Sequence, residues 1–272
     1  MVELAQVPLA IIFIGSLAVF FLAIEAGHLI GSKVEKGANV ATLEASVLGL
    51  LALIIGFTFS MALNRFEARR EALVNEANAI ETAVLRARLL PAPYGEESLE
   101  LFKDYVRIRV SLAESEPNLD AAAQALRRSR ELQETLWRKA QAAAAKDNAV
   151  VPTGLYIQAL NETFNNQKKR LTIISNRVPN IVFVGLYCVA VAALWLTGYA
   201  SALDRRRWRL PTYVACVLVA GVIFLIQDLD RPTEGFISIS ERPMLDTQQA
   251  LERYLSQDAS APSLPGPLKP RR

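Results

Sequence analysis

The sequence predicts an all-α fold, a four-span helical membrane protein carrying a four-helix bundle outside the membrane. Three observations predict it. Apolar residues make up 52% of the 272 residues and mean hydropathy is +0.23, yet 21% of residues are charged, so the two kinds must be segregated along the chain. Four apolar runs have the length of a bilayer crossing. Between the second and third of them, apolar residues recur at helical spacing.

The first run, VPLAIIFIGSLAVFFLAI, covers Val7 to Ile24 and can continue to Ile30. The leading MVELAQ carries Glu3 and no Lys or Arg, so it lacks the basic start of a signal peptide and reads as a retained span. The second run covers Leu43 to Leu63. It passes without Gly or Pro into ALNRFEARREALVNEANAIETAVLRARLL, Ala62 to Leu90. There Phe66, Leu73, Ala77, Ile80, Val84 and Ala87 are spaced 7, 4, 3, 4 and 3, one apolar stripe with Arg65, Arg69, Glu76, Glu81 and Arg88 off it. A single helix of about 70 Å therefore leaves the lipid and becomes a wall of a soluble bundle.

PAPYGEE (Pro91 to Glu97) ends that helix. Three more follow: Glu96 to Ala113 on Leu99, Phe102, Val106 and Val110; Asn118 to Lys146 with Asn118 as N-cap; and Pro152 to Asn176 on Leu160, Phe164, Leu171 and Ile174. None is apolar all round, so the four must bury their stripes against one another. The third span, Val178 to Leu203, and the fourth, Pro211 to Gln227, form a hairpin joined through DRRRWR. Asp246 and Gln249 have capping-box spacing for a short helix, and the Pro- and Ser-rich end reads as disordered. The domains are thus 1–63 for the first two spans, 64–177 for the helical domain and 178–228 for the hairpin, then 229–255 for a post-membrane segment and 256–272 for the tail.

Composition also excludes. A net charge of +3, with no basic run interleaved with aromatics, excludes nucleic acid as a partner. Cys188 and Cys216 lie inside apolar runs and act as small hydrophobes. Glu25 and His28 stand at i, i+3 in EAGH, half of a di-iron motif, but His28 is the only histidine. No metal site and no cofactor are expected. Nothing pairs a nucleophile with a base or forms a Gly-rich phosphate loop, so the chain does not read as an enzyme.

Leu48 to Ile80, LGLLALIIGFTFSMALNRFEARREALVNEANAI, resembles the bacterial bestrophin homologues. The likeness lies in the apolar span followed by Arg65, Phe66, Glu67, Ala68 and Arg69, then Leu73, Val74 and Asn75. One residue is missing between Phe66 and Glu67 relative to that pattern. DRPTEGFISISERPM, Asp230 to Met244, resembles the family's segment after the last span loosely. The resemblance implies a homopentameric ion channel with a pore lined by the second span and a hydrophobic neck at Leu53 and Phe57. Gly49, one turn earlier, departs from the bulky neck pattern. From the residues alone, Gly49, Leu53, Phe57 and Met61 share one face, with Ser60 and Asn64 on a neighbouring stripe; such a face suits a pore or helix packing.

Charged residues near the membrane carry two readings each. Asp228, Asp230 and Glu234 follow the fourth span, where the resemblance implies a possible cation site and the residues themselves suit solvated charges at a helix end. Arg65, Arg69, Arg70, Lys168, Lys169 and Arg170 flank the membrane. The resemblance makes them an electropositive vestibule, while their sequence suits lipid contact and salt bridges with Glu67 and Glu71. An even number of spans puts both termini and the helical domain on one side. Basic residues occupy the short loops (Lys33, Lys36, Arg205, Arg206, Arg207, Arg209) and the domain flanks alike, so the positive-inside rule does not decide, and the resemblance implies a cytoplasmic domain in the bacterial inner membrane. The functional expectation is passive ion conduction by a self-assembled oligomer, a pentamer, with the lipid bilayer and the permeant ions as its other partners. The alternative is a non-conducting signalling or scaffold protein whose helical domain binds partners.

Overall fold

The computed structural model describes residues 8–34, 40–114, 119–203, 209–231 and 235–260. Its helices are α1 (Leu9–Gly31), α2 (Ala41–Ala87), α3 (Tyr94–Glu114), α4 (Leu119–Lys146), α5 (Leu155–Ser175), α6 (Asn180–Leu203), α7 (Leu210–Asp230) and α8 (Arg242–Ser260). No strand occurs among the described residues. Four helical stretches are long and apolar enough to cross a membrane, namely α1, α2, α7 and the stretch that contains α6. The fold is the all-α, four-span architecture expected. Two compact units form: Met1–Arg69 with Ile173–Ile239, called here the membrane unit, and Arg70–Thr172 with Ser240–Arg272, the helical unit.

In the membrane unit, α1 packs on α6 and α7, and the core holds Phe20, Ile24, Leu51, Ala62, Leu186, Leu194, Ile223 and Ile226. Lipid is as apolar as leucine, so helices there associate through close packing and not through exclusion of water. Small residues supply it. A methyl on Gly27 would overlap the Trp195 carbonyl oxygen, and one on Gly198 would overlap that of Ile24, so α1 and α6 touch backbone to backbone. GHLIG, Gly27 to Gly31, is the small-xxx-small pattern for such contact, a signal the hydropathy reading passes over.

The helical unit is built in the opposite way. Leu73, Ala77, Ile80, Val84 and Ala87 of the α2 stripe are buried, with Leu99, Phe102, Val106 and Val110 of α3, Leu132 and Leu136 of α4, and Leu160 of α5. Here water is excluded, and each fully buried Leu, Val or Phe contributes about 1.5–3 kcal/mol.

Four expectations are corrected. The buried face of α5 is Tyr156, Ala159, Leu160, Thr163, Gln167 and Arg170, whereas Leu171 is exposed. The last helix starts at Arg242 and not at Asp246, because Pro243 sits in its first turn, where a missing N–H costs nothing, and the Met244 and Leu245 N–H groups bond to Glu241 O. It continues to Ser260, so 256–260 are helical, while 261–272 lie outside the described residues. Asn118 and residues 204–208 of DRRRWR also lie outside them. The membrane unit extends to Arg69, past the end of the apolar run at Leu63, and the reason is the role of Arg69 described next.

Candidate functional site

Helix α2 turns one side into the membrane core through Leu51, Thr58 and Ala62, all buried. On its other side Gly49, Leu53, Phe57 and Ser60 are uncovered; Leu53 is 54% and Phe57 65% exposed. A methyl built on Gly49 or Gly56 would meet open space. The uncovered face continues into Asn64 and Glu67. Met61 departs from the expected face, since it is half-buried and packs against the core cluster. The five residues read as neck therefore divide into Gly49, Leu53, Phe57 and Ser60 on the open face and Met61 at its edge.

The basic residues read as a vestibule divide as well. Arg69 is 3% exposed; its Nη1 donates to the Asp230 carbonyl at 3.2 Å and its Nη2 to that of Leu229. A guanidinium there closes the C-terminal end of α7, where carbonyls lack helical partners and the dipole favours a cation. Arg170 is also buried and belongs to an ion-pair chain. Both leave the solvent-facing set. Arg65 is half-buried, and Arg70, Lys168 and Lys169 are exposed.

Asp228 and Asp230 face their own backbone. Asp228 Oδ1 accepts the Phe236 N–H at 2.7 Å and its Oδ2 that of Ile237 at 3.0 Å, which folds the segment after α7 back on the helix end. A methyl on Gly235 would crowd the same carboxylate. Asp230 Oδ1 accepts the Val178 N–H at 2.9 Å, holding the chain just before α6. Burial here replaces the open acidic patch the sequence suggested. Glu234 lies outside the described residues. Glu25 and His28 point apart, the first to Tyr213 Oη at 2.5 Å and the second to Ser201 Oγ at 3.3 Å. Among the described residues no three His, Cys, Asp or Glu side chains are grouped to hold a metal ion.

The sequence reading missed a charged core in the helical unit. Glu76, placed off the apolar stripe by its spacing, is 0% exposed. Its carboxylate meets Arg109 Nε of α3 at 2.7 Å and Arg170 Nη1 of α5 at 3.0 Å. Arg170 Nη2 then reaches both oxygens of Glu241, at 3.1 and 3.2 Å. Two cations and two anions alternate, so each charge has an opposite charge beside it in low dielectric. Burial holds the Glu241 carboxyl above its usual range, against the opposing pull of Arg170. Beside this chain Tyr105 Oη donates to Gln167 Oε1 at 3.1 Å, and Gln167 also bonds Ser129 and Gln133. Burial raises the Tyr105 phenol, with the Glu76 charge adding to it.

Comparison with known proteins places this architecture. A family model described as Bestrophin-like, Bestrophin-like domain, matches residues 11–244. No curated protein sequence matches the chain. A crystal structure of a bacterial bestrophin homologue from Klebsiella pneumoniae is similar at a TM-score of 0.66 and 15% identity, covering 93% of this chain and 99% of that one. Another structure of the bacterial bestrophin homologue from Klebsiella pneumoniae, carrying a mutation, is similar at a TM-score of 0.65 and 15% identity, over 91% of this chain and 97% of that one.

Proposed function

The chain belongs to the bestrophin-like family, and from that premise we propose that it is a homo-oligomeric ion channel, a pentamer, whose pore is lined by α2. The observation that carries the reading is the uncovered face of α2. Leu53 and Phe57 stand on it without a partner in their own chain, and it continues into Ser60, Asn64 and Glu67, residues that face water more cheaply than lipid. Around a symmetry axis, such a face gives an apolar constriction opening into a polar mouth, which can gate by dewetting. Arg70, Lys168 and Lys169 are exposed on the helical unit and give it positive surface charge of the kind that attracts anions. The proposed orientation puts the helical unit in the cytoplasm of a bacterium, with the spans in the inner membrane.

Reconstituted flux tests the reading. Phe57→Ala should change conductance or gating, and unchanged currents would remove the neck from α2. A non-conducting scaffold is the second reading, favoured by the exposed apolar side chains Leu85, Leu89, Val150 and Val151 on the helical unit. Native mass with particle images separates the two, since five-fold particles with an axial hole support the channel and a dimer without one supports the scaffold.

A further inference from the structure

A second polar feature of the membrane unit has no α2 residue in its lining. A cavity of about 40 Å³ lies where α1, α6 and α7 end, lined among others by Ile12, Arg177, Asn180, Phe183, Gln227 and Arg231. Gln227 is 6% exposed. Its Nε2 donates to Tyr187 Oη at 3.1 Å, and Tyr187 in turn pairs with Ser16 Oγ at 2.6 Å. Its Oε1 has no hydrogen-bond partner. A buried amide oxygen left so is costly unless something donates to it, and the cavity it lines has room for water-sized groups.

Charge at the mouth is positive. Asp230 also lines the cavity, but its Oδ1 already takes the Val178 N–H, and the charges of Arg65, Arg69 and Arg177 all act on it. Arg177 and Asn180 are exposed at the rim, and α6 begins at Asn180, so its first-turn N–H groups face the same end. Beside the mouth, Ile11 and Ile14 of α1 and Ile181 and Val184 of α6 are exposed and apolar. Basic groups above, apolar side chains beside and hydrogen-bond acceptors inside, the Gln227 amide oxygen and the Asp230 carboxylate, describe the outline of a lipid at the membrane boundary.

We propose that this cavity binds the headgroup of an anionic, hydroxyl-bearing phospholipid of the phosphatidylglycerol type. The phosphate sits at Arg177 and the first turn of α6. A glycerol hydroxyl enters the cavity and donates to Gln227 Oε1, and the acyl chains lie on the exposed isoleucines and Val184. The cavity admits a hydroxyl and its carbon, and the positive charge at its mouth disfavours a choline trimethylammonium. The site is independent of whether the protein conducts.

Native mass spectrometry of the full chain, titrated with dioleoyl phosphatidylglycerol, phosphatidic acid or phosphatidylcholine, tests it. One phosphatidylglycerol per chain should bind, ahead of phosphatidic acid, which carries the phosphate without the glycerol, and well ahead of phosphatidylcholine. Arg177→Ala, at an exposed position, should weaken both anionic lipids about tenfold. Gln227→Leu should weaken phosphatidylglycerol alone, about fivefold, and bring it level with phosphatidic acid. Equal binding of the three lipids overturns the proposal. So does a wild-type protein indifferent to the glycerol group, which needs no variant to establish. Displacement of the lipid by soluble glycerol 3-phosphate at comparable concentration would reassign the cavity to a solute.

Discussion

Arg69 in the membrane unit and Arg170 in the helical unit are both buried arginines, and they are satisfied by different kinds of partner. Arg69 gives its guanidinium to two backbone carbonyls at the end of α7. Arg170 bridges two carboxylates, Glu76 and Glu241. A helix end offers partial negative charge without a directly hydrogen-bonded carboxylate, which suits a unit whose outer solvent is lipid. A water-facing bundle can bring full countercharges inward, provided each finds its pair. The same contrast runs through packing. The membrane unit joins helices at Gly27 and Gly198, whereas the helical unit joins them through Leu, Phe and Tyr side chains.

The largest expected effect tests the ionic half of this contrast. Glu76→Gln leaves Arg109 and Arg170 in the core with one countercharge fewer, and it should cost about 3–5 kcal/mol of helical-unit stability. Hydrogen exchange at α3 and α5 amides reads that loss locally. Arg69→Leu should cost less, about 1–3 kcal/mol, since it unpairs two carbonyls while Asp230 keeps the charges of Arg65 and Arg177 and the Val178 N–H. If Arg69→Leu proves the more damaging, lipid-side burial of the guanidinium is no milder than ion pairing and the contrast fails.

Packing gives the next test. Gly27→Ala puts a methyl against the Trp195 carbonyl, so α1 and α6 must separate at a cost of about 1–3 kcal/mol, seen as a lower melting temperature in detergent. Gly15→Ala, on the same helix with nothing within 4 Å of the added carbon, should be neutral. A cost at both positions would assign the effect to α1 itself and not to its contact with α6.

Much of this was legible in the sequence, and the illegible part has a physical pattern. Spans and bundle helices follow from local periodicity, and the stretch from Leu48 to Ile80 carries the family likeness. Glu76 was placed outside because apolar spacing sorts residues by hydrophobicity, while its partners lie 33 and 94 positions away in the chain. Thr163, Gln167 and Arg170 continue the buried face of α5 at 4- and 3-residue steps, a proper stripe written in polar residues. Asp228 looked like a free acid because the amides it holds, at Phe236 and Ile237, are eight and nine residues on. The open face of α2 was legible as a face. Which of its residues the chain covers, Met61 among them, depends on the core formed by α1, α6 and α7.

The smallest effect concerns Glu241, at the outer end of the charge chain, where its side chain is 24% exposed. Burial raises its carboxyl above the ordinary 4.5, more than Arg170 lowers it. An acid whose pKa is higher folded than unfolded holds more protons in the folded state between the two values. Its contribution to stability is therefore complete below 4.5 and declines as pH rises through the folded value. Glu241→Gln removes this titration, so its melting temperature should vary less than that of the wild type from pH 4.5 upward. The difference should amount to under about 1 kcal/mol for a partly exposed pair. Melting curves of both proteins across that range decide the sign. A wild type that instead loses stability toward pH 4.5, relative to Glu241→Gln, would mean that attraction to Arg170 outweighs burial. The charge chain would then be ionic to its solvent edge, and the contrast with the neutral partners of Arg69 would be sharper than Glu76 alone makes it.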